Sequence, residues 1–193
     1  DPISRTSAFV DYTYQVTEGN SVNSGSFYYN ALSGEQEEKR IVPLAWDQRH
    51  ILNTNLSIGD PRNWNMGIIS KLSSGWPYTP NIPNANYVPQ PNSGRKPWQW
   101  RIDMRVHKNF KIRSFNYLFF MKIYNLLDRR NERYVFNDTG RAGYTYVYQS
   151  TQETQGFKNH YGETGVHEWS EYQIRPQYYT SPRSINIGFS LDF

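Results

Sequence analysis

The sequence predicts an all-β chain, a segment of an antiparallel transmembrane β-barrel. Three observations predict it: six stretches alternate apolar and polar residues, the connections between them alternate long and short, and aromatic residues collect at the stretch ends.

The first stretch sets Ala8, Val10, Tyr12, Tyr14 and Val16 against Asp11, Thr13 and Gln15. A long polar loop, 18–46, follows with the charge run Glu35-Gln36-Glu37-Glu38-Lys39-Arg40. In the second stretch Leu52, Thr54, Leu56 and Ile58 alternate with Asn53, Asn55 and Ser57. The tight turn Asp60-Pro61-Arg62-Asn63 leads to the third, where Trp64, Met66, Ile68 and Leu72 face away from Asn65, Gly67 and Lys71. Six of the eleven prolines (Pro77, Pro80, Pro83, Pro89, Pro91 and Pro97) then fall in or beside a second long loop, 79–97. The fourth stretch is the clearest: Trp98, Trp100, Ile102, Met104 and Val106 on one face, Gln99, Arg101, Asp103 and Arg105 on the other. After a short link over 111–114, Phe115, Tyr117, Phe119, Met121 and Ile123 form a fifth apolar face, with Leu118 and Phe120 making its reverse only half polar. The third long loop, 125–182, precedes Ile185, Ile187, Phe189, Leu191 and Phe193, which alternate with Asn186, Gly188, Ser190 and Asp192. Period-two runs of about ten residues exceed the ~5–6 usual in soluble strands. They suit strands that cross a membrane at a tilt.

Composition agrees. The 193 residues carry 21 Lys and Arg against 17 Asp and Glu, a net charge of +4. Hydrophobic residues are only 37% and mean hydropathy is −0.82, yet aromatics reach 17%. A disordered chain would be poor in aromatics. Alternating strands diluted by hydrophilic loops average to a polar hydropathy while keeping a greasy face. No cysteine is present, which removes disulfides, thiolate catalysis and cysteine-ligated metals. The longest apolar cluster, Tyr117 to Met121, is far below the ~18 residues of a membrane helix. The first residues, Asp1-Pro2-Ile3-Ser4-Arg5, have no signal-peptide anatomy.

If the short turns are periplasmic, the second, fourth and sixth strands descend and Phe193 stands at the lower rim. Upper strand ends then carry Tyr14, Trp46, Trp76, Tyr78, Trp98, Tyr124 and Tyr179, and lower ends Trp64, Phe110, Phe115 and Phe193. Such rings form the aromatic girdles of a membrane barrel. Arg101, Asp103 and Arg105 are expected to face the lumen, with Lys122 or Asn53 as cross-strand partners. In the last long loop Tyr144, Tyr146, Tyr148 and Trp169 are the candidates for stacking on a sugar or another planar ligand. Loop-on-loop packing or contact with lipid headgroups is the competing account of them.

Enzyme chemistry is not expected. Asp47 and His50 lack a suitably placed serine, and Gly140-Arg141-Ala142-Gly143 follows no strand-to-helix pattern for phosphate. His160 and His167 share a stretch with Glu163 and Glu168 but without ligand spacing, so neither metal nor cofactor is expected. Basic residues are spread over faces, turns and loops rather than gathered in a stripe, so no nucleic acid partner is expected.

Several motifs carry a family resemblance. Pro43-Leu44-Ala45-Trp46-Asp47-Gln48-Arg49-His50, Gly59-Asp60-Pro61-Arg62-Asn63-Trp64 and Gly75-Trp76-Pro77-Tyr78-Thr79-Pro80 come first. Arg101-Ile102-Asp103-Met104-Arg105 with Lys108-Asn109-Phe110, then Tyr124-Asn125-Leu126-Leu127-Asp128-Arg129-Arg130-Asn131, then Pro182-Arg183-Ser184-Ile185-Asn186-Ile187-Gly188-Phe189 follow in order. Together they resemble the C-terminal part of TonB-dependent outer-membrane receptors. The resemblance implies the outer membrane of a Gram-negative bacterium and import of a scarce nutrient, whether siderophore, vitamin, glycan or peptide. Barrels of this type are ~22-stranded with a plugged lumen, whereas ~8 strands is the small practical size. The 193 residues are therefore expected to be the last six strands of a larger barrel. Implied partners are outer-membrane lipid, the remaining barrel and plug, and the TonB complex through an N-terminal part with no counterpart in these residues. The barrel-assembly machinery is a further one, reading Ile187, Phe189, Leu191 and Phe193. The alternative expectation is a soluble or surface-attached β-sheet carbohydrate-binding module whose apolar faces form an inner core.

Overall fold

A computed structural model describes residues 5–20, 25–34, 41–60, 62–83, 86, 89–146 and 174–192. The six alternating stretches are six long strands: β1 (Arg5–Tyr14), β2 (His50–Asp60), β3 (Trp64–Ser73), β4 (Gln99–Ile112), β5 (Phe115–Tyr124) and β6 (Ser184–Asp192). They form one antiparallel meander in chain order. Among the described residues the chain is thus all-β apart from one helix, α1 (Ser26–Ser33), and a 3-10 turn at Pro176–Tyr178. The sheet is open. Among the described residues β1 and β6 each pair on one side only.

Register decides what the alternation means. Tyr12 lies opposite Leu52, which lies opposite Leu72, which lies opposite Trp100. Ile68 sits between Leu56 and Met104, Met104 opposite Ile123, and Ile123 opposite Ile185. Because side chains flip faces every residue, a one-residue slip in any pairing would mix the two sets. None slips. All six apolar sets share one face, while Asp11, Asn53, Lys71, Arg101, Asp103, Arg105, Lys122 and Asn186 share the other. Phe9, Ile51, Ile69, Leu118 and Phe120 are the apolar exceptions on the polar side. Phe120 has a clear reason: its ring lies over Gly188, where an added Cβ would strike the ring.

No second layer covers the apolar face among the described residues. The buried hydrophobic residues are Val42, Ile123, Val135 and Ala142, and only Ile123 belongs to the six-stranded sheet. On the apolar face Val10 and Ile187 are each 65% exposed and Phe189 is 59% exposed. Burying a side chain of this size is worth ~1.5–3 kcal/mol, so the bare face lacks the main stabilising contribution of a soluble fold.

The connections segregate as expected. Residues 61–63 and 113–114 make the short links at one end, and 15–49, 74–98 and 125–183 leave the other. The first link follows Gly59, whose φ of +125° suits glycine alone and whose Cβ would strike the Trp64 carbonyl. Asp60 then accepts hydrogen bonds from the Arg62 and Asn63 amides. In the second link Arg113 takes the left-handed conformation at φ +55°. The long connections contain structure that periodicity does not announce: α1, a short ladder of Glu18–Gly19 with Val42–Pro43, and another of Pro77–Tyr78 with Gly94–Arg95.

Candidate functional site

Two polar assemblies emerge: the polar face of the sheet, and a folded cap over its loop end. On the face, Arg101 and Asp103 form a pair along β4, Arg101 Nε donating to Asp103 Oδ1 at 2.8 Å. Asp103 also accepts from the Asn125 amide at 2.8 Å. Arg105 stands directly opposite Lys122, the cross-strand neighbour expected for it, and both lack a carboxylate partner among the described residues. Asn53 instead reaches the other way, donating to Asp11 at 3.3 Å.

The cap is where the buried polar residues gather: Asp47, Gln48, Ser73, Ser74, Asn92, Asn125 and Asn131. Asp47 is its hub. It accepts from the Thr17 amide at 2.8 Å, from Arg49 Nε at 3.0 Å and from the Arg95 guanidinium. Burial alone would raise the Asp47 carboxyl, but the bonds from Arg95, Thr17 and Arg49 outweigh it and hold the group below the ordinary carboxylate value. Arg49 continues to Glu18 at 3.0 Å, and Gln48 donates to the Ser74 carbonyl at 2.9 Å.

Asn131 solves a second problem. β4 runs past the end of β5, leaving backbone groups near its start without a strand partner. The Asn131 side chain pairs with both backbone groups of Trp100, Oδ1 accepting from N–H at 3.0 Å and Nδ2 donating to the carbonyl at 2.9 Å. Leu126 N–H serves the Ile102 carbonyl. Buried backbone groups rarely go unpaired, and here an amide side chain stands in for a strand. The Asn125–Asn131 segment makes a turn with Asn125 and Asp128 left-handed (φ +55° and +51°). Asn125 Nδ2 donates to the carbonyls of Arg129 and Ser181, and Asp128 accepts from the Arg183 amide. Strand exit and strand return are thereby tied together.

Aromatic placement partly follows the girdle expectation. At the loop end of the apolar face Tyr14 and Trp98 pack on His50, whose ring stacks with Trp98 at 5.7 Å and whose Nδ1 meets the Tyr12 hydroxyl at 2.8 Å. At the turn end Phe110, Tyr117 and Phe189 form a run with centroids 5.2 and 5.6 Å apart. Tyr124 departs from the expectation: parity with Ile123 turns it to the polar face, where Arg101 sits 5.9 Å from its ring. Tyr78 and Tyr179 are drawn into the cap, the first against Gly140, the second bridged to Glu132. Burial, with Asp138 nearby, pushes the Tyr78 hydroxyl up.

Of the stacking candidates, Tyr144 and Tyr146 form an exposed edge-to-face pair at 5.7 Å. The adjacent carboxylate of Asp138 fixes them, accepting from Thr145 Oγ1 at 2.7 Å and from the Tyr146 amide. Tyr148 and Trp169 lie outside the described residues, as do His160, Glu163, His167, Glu168 and Phe193. Ile187, Phe189 and Leu191 all fall on the exposed apolar face of β6. Among the described residues no three metal-ligating side chains cluster. Asp47 and His50 do not join: the first is held by arginines, the second by aromatic rings. No protein-family model, curated protein or solved structure matches this chain.

Proposed function

We propose that these residues form part of the wall of an outer-membrane β-barrel of the TonB-dependent receptor type, which imports a scarce nutrient across the outer membrane. The observation that carries this reading is the in-phase register of six strands whose apolar sets all fall on one uncovered face. Lipid is the solvent such a face fits. Ten residues at ~3.3 Å rise and ~45° tilt span ~23 Å, close to the ~25 Å apolar band of outer-membrane barrels. All long connections leave one end and all short ones the other, as in those barrels. Open edges at β1 and β6 would leave backbone groups unpaired in lipid, so further strands, of the same chain or of another one, are required to close the sheet. The remaining barrel, the plug, the TonB complex and the barrel-assembly machinery are the partners this reading entails. The carbohydrate-binding alternative needs a second layer over the apolar face, and the described residues supply none.

The test is fractionation of the full-length protein from cells. The expected protein stays with the outer membrane through alkaline carbonate extraction and migrates faster unheated than heated on a denaturing gel. Recovery in the soluble fraction sinks the reading. In the same experiment, Phe193→Ser is expected to lower the outer-membrane level severalfold, because the resemblance makes the alternating series Ile187, Phe189, Leu191 and Phe193 the assembly signal. Unchanged abundance would remove that role from Phe193 alone.

A further inference from the structure

We propose that the polar face of the sheet carries an oxyanion site built on Arg105 and Lys122. The inference rests on the reading above, in which this face turns to the lumen that also holds the plug.

The two cations are directly opposed across β4 and β5, which places their Cα atoms ~4.5–5.5 Å apart. Like charges in that relation repel, and the acidic residues of the face make their contacts elsewhere. Asp103 is taken by Arg101 and the Asn125 amide, and Asp11 is turned to Asn53. Among the described residues no carboxylate pairs with Arg105 or Lys122. A like-charged pair in the middle of a sheet, with its acidic neighbours committed elsewhere, is complementary to an anion.

Space is left for one. Gly67 stands opposite Arg105 on β3, and an added Cβ there would meet nothing within 4 Å. Beside Gly67, Asn55, Ser57, Asp103, Arg105, Lys122 and Tyr124 line an open depression of about 470 Å³, in which the Asp103 carboxylate is bound to Arg101 and the Asn125 amide. Ser57 Oγ accepts from Asn65 at 3.0 Å, which leaves its own hydrogen to donate inward. The planar guanidinium of Arg105 suits two oxygens at once, and the compact ammonium of Lys122 suits a third. The ligand class that satisfies this set is a small solute with several phosphate or carboxylate oxygens.

The experiment uses the full-length protein in phosphatidylcholine vesicles at low salt, with inorganic pyrophosphate and citrate as separate calorimetric probes. At least one probe is expected to bind, and the stronger of the two assigns phosphate or carboxylate as the preferred group. The double variant R105Q/K122Q should weaken binding at least tenfold, the charge-preserving R105K/K122R should retain most of it, and R113Q in the distant turn should leave it unchanged. Raising the ionic strength should weaken binding further. Affinity unaffected by R105Q/K122Q overturns the site. So does the absence of binding by either probe to protein that shows the faster unheated migration; the membrane reading then stands and the cations are neutralised by an acidic segment from elsewhere in the protein. Failure to enter vesicles at all overturns both.

Discussion

Ile68→Arg is expected to abolish membrane assembly, whereas Ile69→Arg, one residue along the same strand, is expected to leave it nearly intact. The two substitutions add the same charge and bulk in the middle of β3. They differ in face. Ile68 lies in the apolar ladder between Leu56 and Met104, and Ile69 lies on the polar face between Asn55 and Asp103. An arginine on the lipid face near the bilayer midplane costs ~2–4 kcal/mol, about thirty- to several-hundred-fold in the folding equilibrium constant. On the polar face it stands opposite Asp103, and in the proposed barrel that face turns away from lipid. The check is the proportion of refolded full-length protein in vesicles that shows the faster unheated migration. Equal loss for both variants, or greater loss for Ile69→Arg, contradicts the assignment of faces.

The second large effect is expected at Asp47. Asp47→Ala should open the cap while sparing the strands. The carboxylate is fully buried, but its partners Arg49 and Arg95 keep 31% and 32% of their side chains exposed. They retain water when the carboxylate is removed, so the cost falls below that of a fully buried pair and amounts to ~1–3 kcal/mol. Hydrogen exchange should show protection of the Thr17 amide falling about ten- to hundredfold, with the amides of β3 unaffected. The same residue gives a pH dependence. Its folded carboxyl lies below the ordinary value, so its contribution is complete above ~pH 4 and is lost as pH falls through the lowered folded value. Protection of Thr17 should therefore hold down to mildly acidic pH and then decline, and Asp47→Asn should erase that dependence. A pH-independent Thr17 in the wild type would contradict the role given to the carboxylate.

The strands were legible in the sequence because their signal is local. A period of two in Trp98 to Val106 needs no knowledge of the partner, and it predicts both the strand and the faces of Arg101, Asp103 and Arg105. Parity also fixes Tyr124 on the polar side, although its place at a strand end had marked it for a girdle. The cap was not legible. Asp47 and Arg95 are 48 positions apart, and nothing near either names the other. Asn131 supports Trp100 across 31 positions, and its need appears only once β4 is seen to outrun β5. The helix Ser26–Ser33 carries three aromatics and a leucine without acidic residues in its first turn or basic residues in its last, so its ends are unmarked. Local patterning specifies the sheet, and long-range polar pairing specifies its cap.

Lipid contact of the apolar face is the central claim, and paired cysteine labelling at Ile102 and Arg101 tests it most directly. The two residues are adjacent on β4 and face opposite sides. In the full-length protein in its native membrane, Ile102→Cys is predicted to resist a water-soluble maleimide and to react with a lipid-partitioning one, while Arg101→Cys reacts readily with the water-soluble reagent. Rapid aqueous labelling at position 102 with protection at 101 would contradict the account. Protection of position 102 from both reagents would place a protein layer over the face and favour the soluble alternative.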